Sequence, residues 1–341
     1  MAKNRYGNLD GIRGYACIII VLKHVLANGN FGLTGPVLEK FVVLITMTKF
    51  VYLFMIVSAF SMCCGYYERF QNGTIDLESF YKKRYTRMWP FFAFLCTLEL
   101  IVEHNLTSLY EWIADLTLAF GLLTNANISV VGVGWFLGVI FVFYMLFPFF
   151  IFLMKNRKRA WMVLGVTVLL NILCQVYFLN GDHVVEGYDA RTNFLFCSMF
   201  FAAGGLMYLY RTEIEAAAMK YKIPLLILTL AAIVFYYTVN ASDYTTLVIF
   251  CLITALGMAG GNVAKAIFQN KVIRFMNTVS MEMFLCHMFV FRAIEKLGLL
   301  HITRFEFLNY MLVFIATLCG ATAFAYVAKT AIEKATKMIK R

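Results

Sequence analysis

Long apolar stretches follow one another along the whole chain, separated by short polar segments. Most of them are near 20 residues long, which is the length of helix needed to cross the hydrocarbon core of a bilayer. The eleven candidate segments are 10–28, 40–66, 79–102, 109–124, 134–154, 160–179, 192–210, 223–240, 243–260, 276–297 and 306–330. The pattern predicts a chain that crosses a membrane many times.

Loop charges distinguish the segments that span from those that do not, because cytoplasmic loops retain Lys and Arg. If every segment spans, the basic run Lys155–Arg159 lies outside, against this rule. The segment 109–124 is short and carries Asp115, and omitting it brings every later loop into agreement. We therefore predict about ten transmembrane helices, one short non-spanning helix near 109–124, and both termini in the cytoplasm.

Composition supports the same fold class. The chain is 62% hydrophobic and 14% charged, whereas soluble domains are about 45–50% apolar and about 25% charged. We expect an all-α, polytopic membrane helix bundle, one domain over residues 1–341, with the first helix as an uncleaved anchor. The net charge of +11 fits cytoplasmic loops and gives no reason to expect nucleic acid. The nine cysteines lie in or beside apolar segments, where they are expected to be small buried hydrophobes.

The first apolar segment carries two candidate functional groups. Asn8 or Asp10 can cap its N-terminus, and Ile12–Leu26 reads as helix. Arg13 and His24 are eleven residues apart, so their side chains leave one face roughly 16 Å apart along the axis. The cation near one membrane surface predicts a site for an anionic ligand there. The imidazole deeper in the membrane predicts a site of proton transfer. The alternatives are an anchoring arginine and a histidine that is hydrogen-bonded between helices.

Four further candidates occur in other segments. Arg84 and Arg87 lie on one helical face and can bind phosphate, although basic residues here can equally determine topology. Glu282 and His287 share a segment but point about 140° apart, so they need not act together. An ionisable group inside a membrane is a functional hypothesis by default, and a packing histidine is the alternative.

Several stretches, taken in order, resemble acyltransferase family 3, which includes bacterial O-acetyltransferases of lipopolysaccharide, peptidoglycan and exopolysaccharide. The stretches are Leu9–Gly14 with Lys23–His24 (an Arg, ten residues, then a His), Phe54–Phe60, Phe80–Pro90, Trp135–Leu137 with Tyr144 and Pro148, and Ser280–His287. Ala59 stands where this family usually has glycine. Val139–Phe143 is apolar where many members carry a glutamate, so the chain resembles the subgroup that lacks it.

The resemblance implies a multi-pass O-acyltransferase of the bacterial inner (plasma) membrane. It implies acetyl-CoA, or another acyl-CoA, as a cytoplasmic donor and a hydroxyl of a sugar or cell-envelope glycan as acceptor. Its implied residues are His24, His287 and Glu282 for catalysis, Arg13, Arg84 and Arg87 for CoA, and Ser58, Trp135 and Tyr144 for substrate, with no metal ligand. His24 would act as a general base or carry the acyl group itself. The oligomeric state is left open.

A transporter is the first alternative that the residues leave open, and a structural or assembly membrane protein without chemistry is the second. His24, Glu282 and Lys23 could form a proton relay in a proton-coupled transporter or flippase of a polysaccharide precursor or a small anion. The lack of an obvious inverted repeat counts weakly against this reading.

Overall fold

The computed structural model describes residues 6–125, 128 and 130–339, so both ends of the predicted domain lie outside it. Of the molecule so described, 81% is helical and no part is a strand, which confirms the all-α class. The helices are α1 Gly7–Asn28, α2 Pro36–Thr46, α3 Val51–Gln71, α4 Leu77–Glu103, α5 Leu106–Leu116, α6 Trp135–Met145, α7 Phe147–Leu153, α8 Arg157–Leu173, α9 Phe194–Leu209, α10 Arg211–Lys220, α11 Lys222–Thr238, α12 Asp243–Met258, α13 Asn262–Phe268, α14 Lys271–Thr278, α15 Ser280–Lys296 and α16 Glu306–Ile339. Short 3₁₀ turns cover Ala119–Leu122, Gly132–Gly134 and Ala190–Thr192, and a π turn covers Cys174–Phe178.

Several helices are long and apolar enough to cross a membrane. In the described residues three stretches qualify, namely α2 taken together with α3 over Pro36–Gln71, Arg157–Phe178, and Glu306–Met338; the number is six if each bent pair is one span. The bent pairs are α6 with α7 at 57°, α9 with α10 at 80° and α12 with α13 at 114°. The count of ten spans and the side of each terminus stay predictions.

Apolar side chains cover the outside of the bundle. On α8, Trp161 and Leu169 are 57% and 54% exposed, and on α11, Ile227 and Val234 are 61% and 60% exposed. Water-soluble monomers rarely expose such continuous apolar faces, whereas lipid covers them at no cost. These outward-facing apolar surfaces of α8 and α11 therefore fit a helix bundle in a membrane.

Two elements differ from the sequence-based expectation. The predicted cap at Asn8 or Asp10 is wrong, because α1 begins at Gly7 and Tyr6 precedes it without a side-chain cap. The Asn8 amide instead donates to the Ala259 carbonyl at 3.2 Å, so it joins helices rather than ending one. The segment 40–66 is not continuous, since residues 47–50 separate α2 from α3.

The segment 109–124 forms α5 followed by the Ala119–Leu122 turn. α5 has 11 residues, which rise about 16 Å and cannot cross a hydrocarbon core about 30 Å thick. This short helix packs beside α4, and the Ala119–Leu122 turn that follows it packs against α6.

Candidate functional site

A cavity of about 540 Å³ lies among α1, α3, α4, α6, α15 and α16. This volume is in the range of small-molecule sites, about 300–1,000 Å³. Six of the predicted site residues line it, namely Arg13, Ser58, Arg84, Arg87, Tyr144 and Glu282. They come from five helices, so the fold gathers groups that the sequence holds far apart.

The arginines of this cavity have unused hydrogen-bond donors. The Nε atoms of Arg13 and Arg84 are buried and have no partner. Arg84 donates from Nη2 to the Tyr66 hydroxyl at 2.9 Å, and its guanidinium lies 5.8 Å from the centre of the Tyr144 ring. Within the described residues, no carboxylate is within ion-pair distance of Arg84 or Arg87. Buried donors without partners are costly, so this wall suits an anionic ligand.

Glu282 lies in the cavity wall but is already paired. Lys329 Nζ is 2.9 Å from Glu282 Oε1 and also donates to the Thr278 carbonyl at 2.6 Å. In the described part of the chain, Glu282 forms no hydrogen bond or ion pair with His24 or His287, as the 140° separation from His287 on α15 suggested. With Asp10, it is one of two carboxylates in a lining that carries four cations, so the cavity is positive overall.

The imidazoles of His24 and His287 form a bonded pair. His24 Nδ1 and His287 Nε2 are 2.8 Å apart, and His287 Nδ1 is 2.5 Å from the Phe284 carbonyl oxygen. A carbonyl only accepts, so His287 Nδ1 carries a proton, and its neutral ring accepts at Nε2. The hydrogen-bond network thus assigns the shared proton to His24 Nδ1. His24 Nε2 is left with a basic lone pair.

The environment of the pair differs between the two rings. His287 is fully buried, whereas His24 is half-buried. Neither ring lines the cavity, and Trp135 does not line it either, although its neighbour Phe136 does. The structure therefore separates the predicted residues into a positive cavity and a histidine pair beyond its end.

The profile of an acyltransferase domain, that of acyltransferase family 3, matches residues 6–329. The chain belongs to this family. The match covers both the arginine-lined cavity and the histidine pair of this acyltransferase. No curated protein matches the chain. No solved structure matches it either.

Sequence reasoning missed a charged cluster on the far side of His24 from the cavity. Lys49 pairs with Asp243 at 2.7 Å, and Arg191 pairs with Asp189. Lys23 donates to the Thr48 carbonyl at 2.7 Å, and Lys23 and Arg191 both lie within electrostatic range of the His24 ring. No spacing in the sequence links these positions, and only the Asp-x-Arg stretch could have suggested a local pair.

A further charged group, which joins residues far apart in the sequence, holds the turn that precedes α6. Arg292 Nη2 donates to Glu99 Oε1 at 2.5 Å, and the Val131 backbone N–H donates to Glu99 Oε2 at 2.7 Å. Val131 has φ 44°, a left-handed conformation that is strained for a β-branched residue. The buried carboxylate of Glu99 therefore ties α4 to α15 and fixes the turn that leads into the cavity wall.

Proposed function

We propose that this acyltransferase moves an acyl group, acetyl in the first instance, from acyl-CoA in the cavity to a hydroxyl of a sugar or cell-envelope glycan. The proposal depends most on one observation. Three arginines line a single cavity, and the far end of that cavity lies beside the bonded pair His24–His287. A donor site at the arginines and a basic nitrogen on His24 would then lie close together in one protein, separated by the closed end of the cavity.

The cavity wall fits the donor by its chemistry. The CoA moiety carries a pyrophosphate and a further phosphate, and guanidinium groups bind phosphate through paired hydrogen bonds. The partnerless Nε atoms of Arg13 and Arg84 supply such donors in a buried position, and the exposed Arg87 adds a third cation at the mouth. Ser58 and Tyr144 lie along the same wall, where they would contact the pantetheine arm.

The histidine pair supplies general-base chemistry. His24 Nε2 would take the proton of the acceptor hydroxyl as its oxygen attacks the thioester carbonyl carbon. The carbon–sulfur bond then breaks, and the CoA thiolate recovers the proton from His24 to leave as the thiol. His287 would orient His24 through the Nδ1 bond and stabilise its protonated form, the role that the third group has in catalytic triads.

The acceptor would approach from the side of Lys23 and Arg191. His24 is half-buried yet absent from the cavity wall, so its accessible surface faces elsewhere. The donor and acceptor would then enter from opposite ends, and only the acyl group would cross between them. This arrangement fits an enzyme that modifies glycans outside the membrane with a cytoplasmic donor.

The test combines binding with transfer. Calorimetry in detergent measures the affinity for acetyl-CoA, and membranes from expressing cells report transfer of radiolabelled acetyl groups to envelope glycan. We expect His24→Ala to lower transfer by about 10²–10⁴-fold while acetyl-CoA still binds. We expect Arg13→Ala to weaken binding. His301→Ala, which changes a histidine outside the pair and the cavity, is the matched control. A folded wild-type protein that binds no acyl-CoA would favour the proton-coupled transporter.

A further inference from the structure

Three phenylalanines close the end of the cavity that faces the histidine pair. Phe54 of α3, Phe136 of α6 and Phe284 of α15 all line the cavity. On α3 and α6, Phe54 and Phe136 are the first lining residues from the N-terminus. On α15 the lining ends one residue after Phe284, and His287 follows.

The orientation of α3 puts Phe54 between the two parts of the site. The Tyr6 ring, just before α1, lies 5.3 Å from Phe60 of α3. Near the other end of α1, Lys23 donates to Thr48, just before α3. The two helices are therefore antiparallel, and Phe54 lies between the level of the cavity and the level of His24.

The three rings fill the space between their helices. The ring centres of Phe54 and Phe136 are 6.0 Å apart, those of Phe136 and Phe284 5.3 Å, and those of Phe54 and Phe284 6.4 Å. Phe136 meets both partners edge to face, at 61° and 68°. Rings at these separations are in mutual contact, so in this arrangement they leave no space for an acyl chain between them. The Phe284 ring is in turn 5.9 Å from His287.

One ring has more room to move than the others. Phe54 and Phe284 are 6% and 4% exposed, whereas Phe136 is only half-buried. Rotation of Phe136 would open a space about as deep as the displaced ring. A space of this depth holds the two carbons of an acetyl group, whereas a longer chain has no room beyond it.

We propose that Phe54, Phe136 and Phe284 select the acyl group by its length. This inference rests on the proposed function of the cavity as the acyl-CoA site. An acetyl group fits the space that Phe136 vacates and so brings its carbonyl carbon towards His24, while longer straight chains have no room there and stay on the cavity side. Phe136 is the residue that sets the limit.

The experiment compares the affinities of acyl-CoA donors of increasing length, so it needs no knowledge of the acceptor. Calorimetry in detergent measures the Kd of CoA, acetyl-, butyryl- and hexanoyl-CoA for the wild type, Phe136→Ala and Phe136→Leu. In the wild type, affinity should not rise beyond acetyl-CoA. In Phe136→Ala each added methylene can be buried past the rings, which raises affinity by about fourfold per methylene. Phe136→Leu should lie between the two, and CoA itself should bind all three proteins equally.

The matched control is Phe289→Ala. Phe289 is also a half-buried phenylalanine, but it packs against Phe324, 5.8 Å away, and does not line the cavity. The affinities of Phe289→Ala for the four donors should match those of the wild type. If affinity changed with acyl length in the same way in the wild type and in both Phe136 variants, selection by the three phenylalanines would be overturned, and the donor site would stand. A wild type that binds neither CoA nor acetyl-CoA would overturn the proposed function and the selector with it.

Discussion

At the scale of single residues, the tautomer of His24 decides what this site can do. The assignment depends on a chain of two bonds, from the Phe284 carbonyl to His287 and from His287 to His24. The sequence marks both histidines as unusual, because ionisable groups inside apolar segments are rare. It cannot join them, because 263 residues separate them and no local periodicity reaches that far.

His287→Gln and His287→Leu test the orienting role. A glutamine side chain can still accept the His24 Nδ1 proton at its amide oxygen, whereas leucine leaves that donor buried and unpaired. We expect the leucine variant to lose about 10²-fold or more in acetyl transfer and the glutamine variant to keep most of the activity. The radiolabel assay in membranes measures both, with acetyl-CoA affinity as the check on folding.

The two His287 variants should differ in transfer and agree in acetyl-CoA affinity. Equal transfer rates in Gln and Leu variants would mean that His287 only fills space. Equal losses of affinity in both would mean instead that the substitution disturbs the donor cavity.

At the scale of helices, local patterns predicted which segments are helical better than where the helices begin and break. The apolar pattern anticipated α1 and α8, but not the break at 47–50 within the segment 40–66. That break exposes the Thr48 carbonyl to Lys23, a contact between distant segments that no local pattern encodes. The start of α1 was missed for the same reason, since Asn8 bonds to Ala259 and not to its own helix.

Glu99→Ala tests the link between α4, α15 and the turn before α6. The substitution leaves the part-buried Arg292 without its nearest carboxylate and the Val131 N–H without an acceptor, so we expect a loss of about 1–3 kcal/mol in the free energy of unfolding. Thermal unfolding in detergent measures the loss. Glu103→Ala is the control, because Glu103 is exposed and 3.9 Å from the same arginine, where a pair contributes about 0–1 kcal/mol. Equal melting temperatures for the two variants would contradict the role of Glu99 in holding α4, α15 and the turn together.

Gly204→Ala tests the close approach of α3 and α9. A Cβ at Gly204 would lie 2.1 Å from the Ile56 carbonyl oxygen, so the helices must separate. We expect destabilisation by about 1–3 kcal/mol, together with weaker acetyl-CoA binding because α3 carries Ser58. Gly165→Ala on α8 meets no atom within 4 Å and should be neutral in the same unfolding measurement. Small residues at helix contacts are typical of membrane bundles, and an unaffected Gly204→Ala protein would show that these helices adjust freely.

At the scale of the whole molecule, the sequence indicated the two ends of the site but not the barrier between them. Loop charges and the Arg13–His24 spacing placed an anion site and a base at different depths, and the fold places Arg13 in the cavity and His24 beyond it. The aromatic barrier was invisible because phenylalanine is abundant, with 34 in the chain. Only packing distinguishes the three at the end of the cavity.

The last prediction concerns the membrane face on which each loop of the enzyme lies. Thr74, exposed in the loop between α3 and α4, and Gly181, exposed in the loop that follows the Cys174–Phe178 turn, have three predicted spans between them. Thr74→Cys should therefore react with a membrane-impermeant maleimide only from the cytoplasmic face, and Gly181→Cys only from the other. The wild type, which carries all nine native cysteines, is the labelling control.

The arginine-lined mouth lies at the end of the bundle where α1 begins and α3 ends, near Thr74. In sealed vesicles, acetyl-CoA should then support transfer only when it is supplied on the face that labels Thr74→Cys, because the cavity opens there and CoA does not cross a bilayer. Transfer from acetyl-CoA supplied on the Gly181→Cys face would contradict the orientation of the cavity. Labelling of both cysteines from one face would contradict the three intervening spans and leave the cavity chemistry to be judged by binding alone.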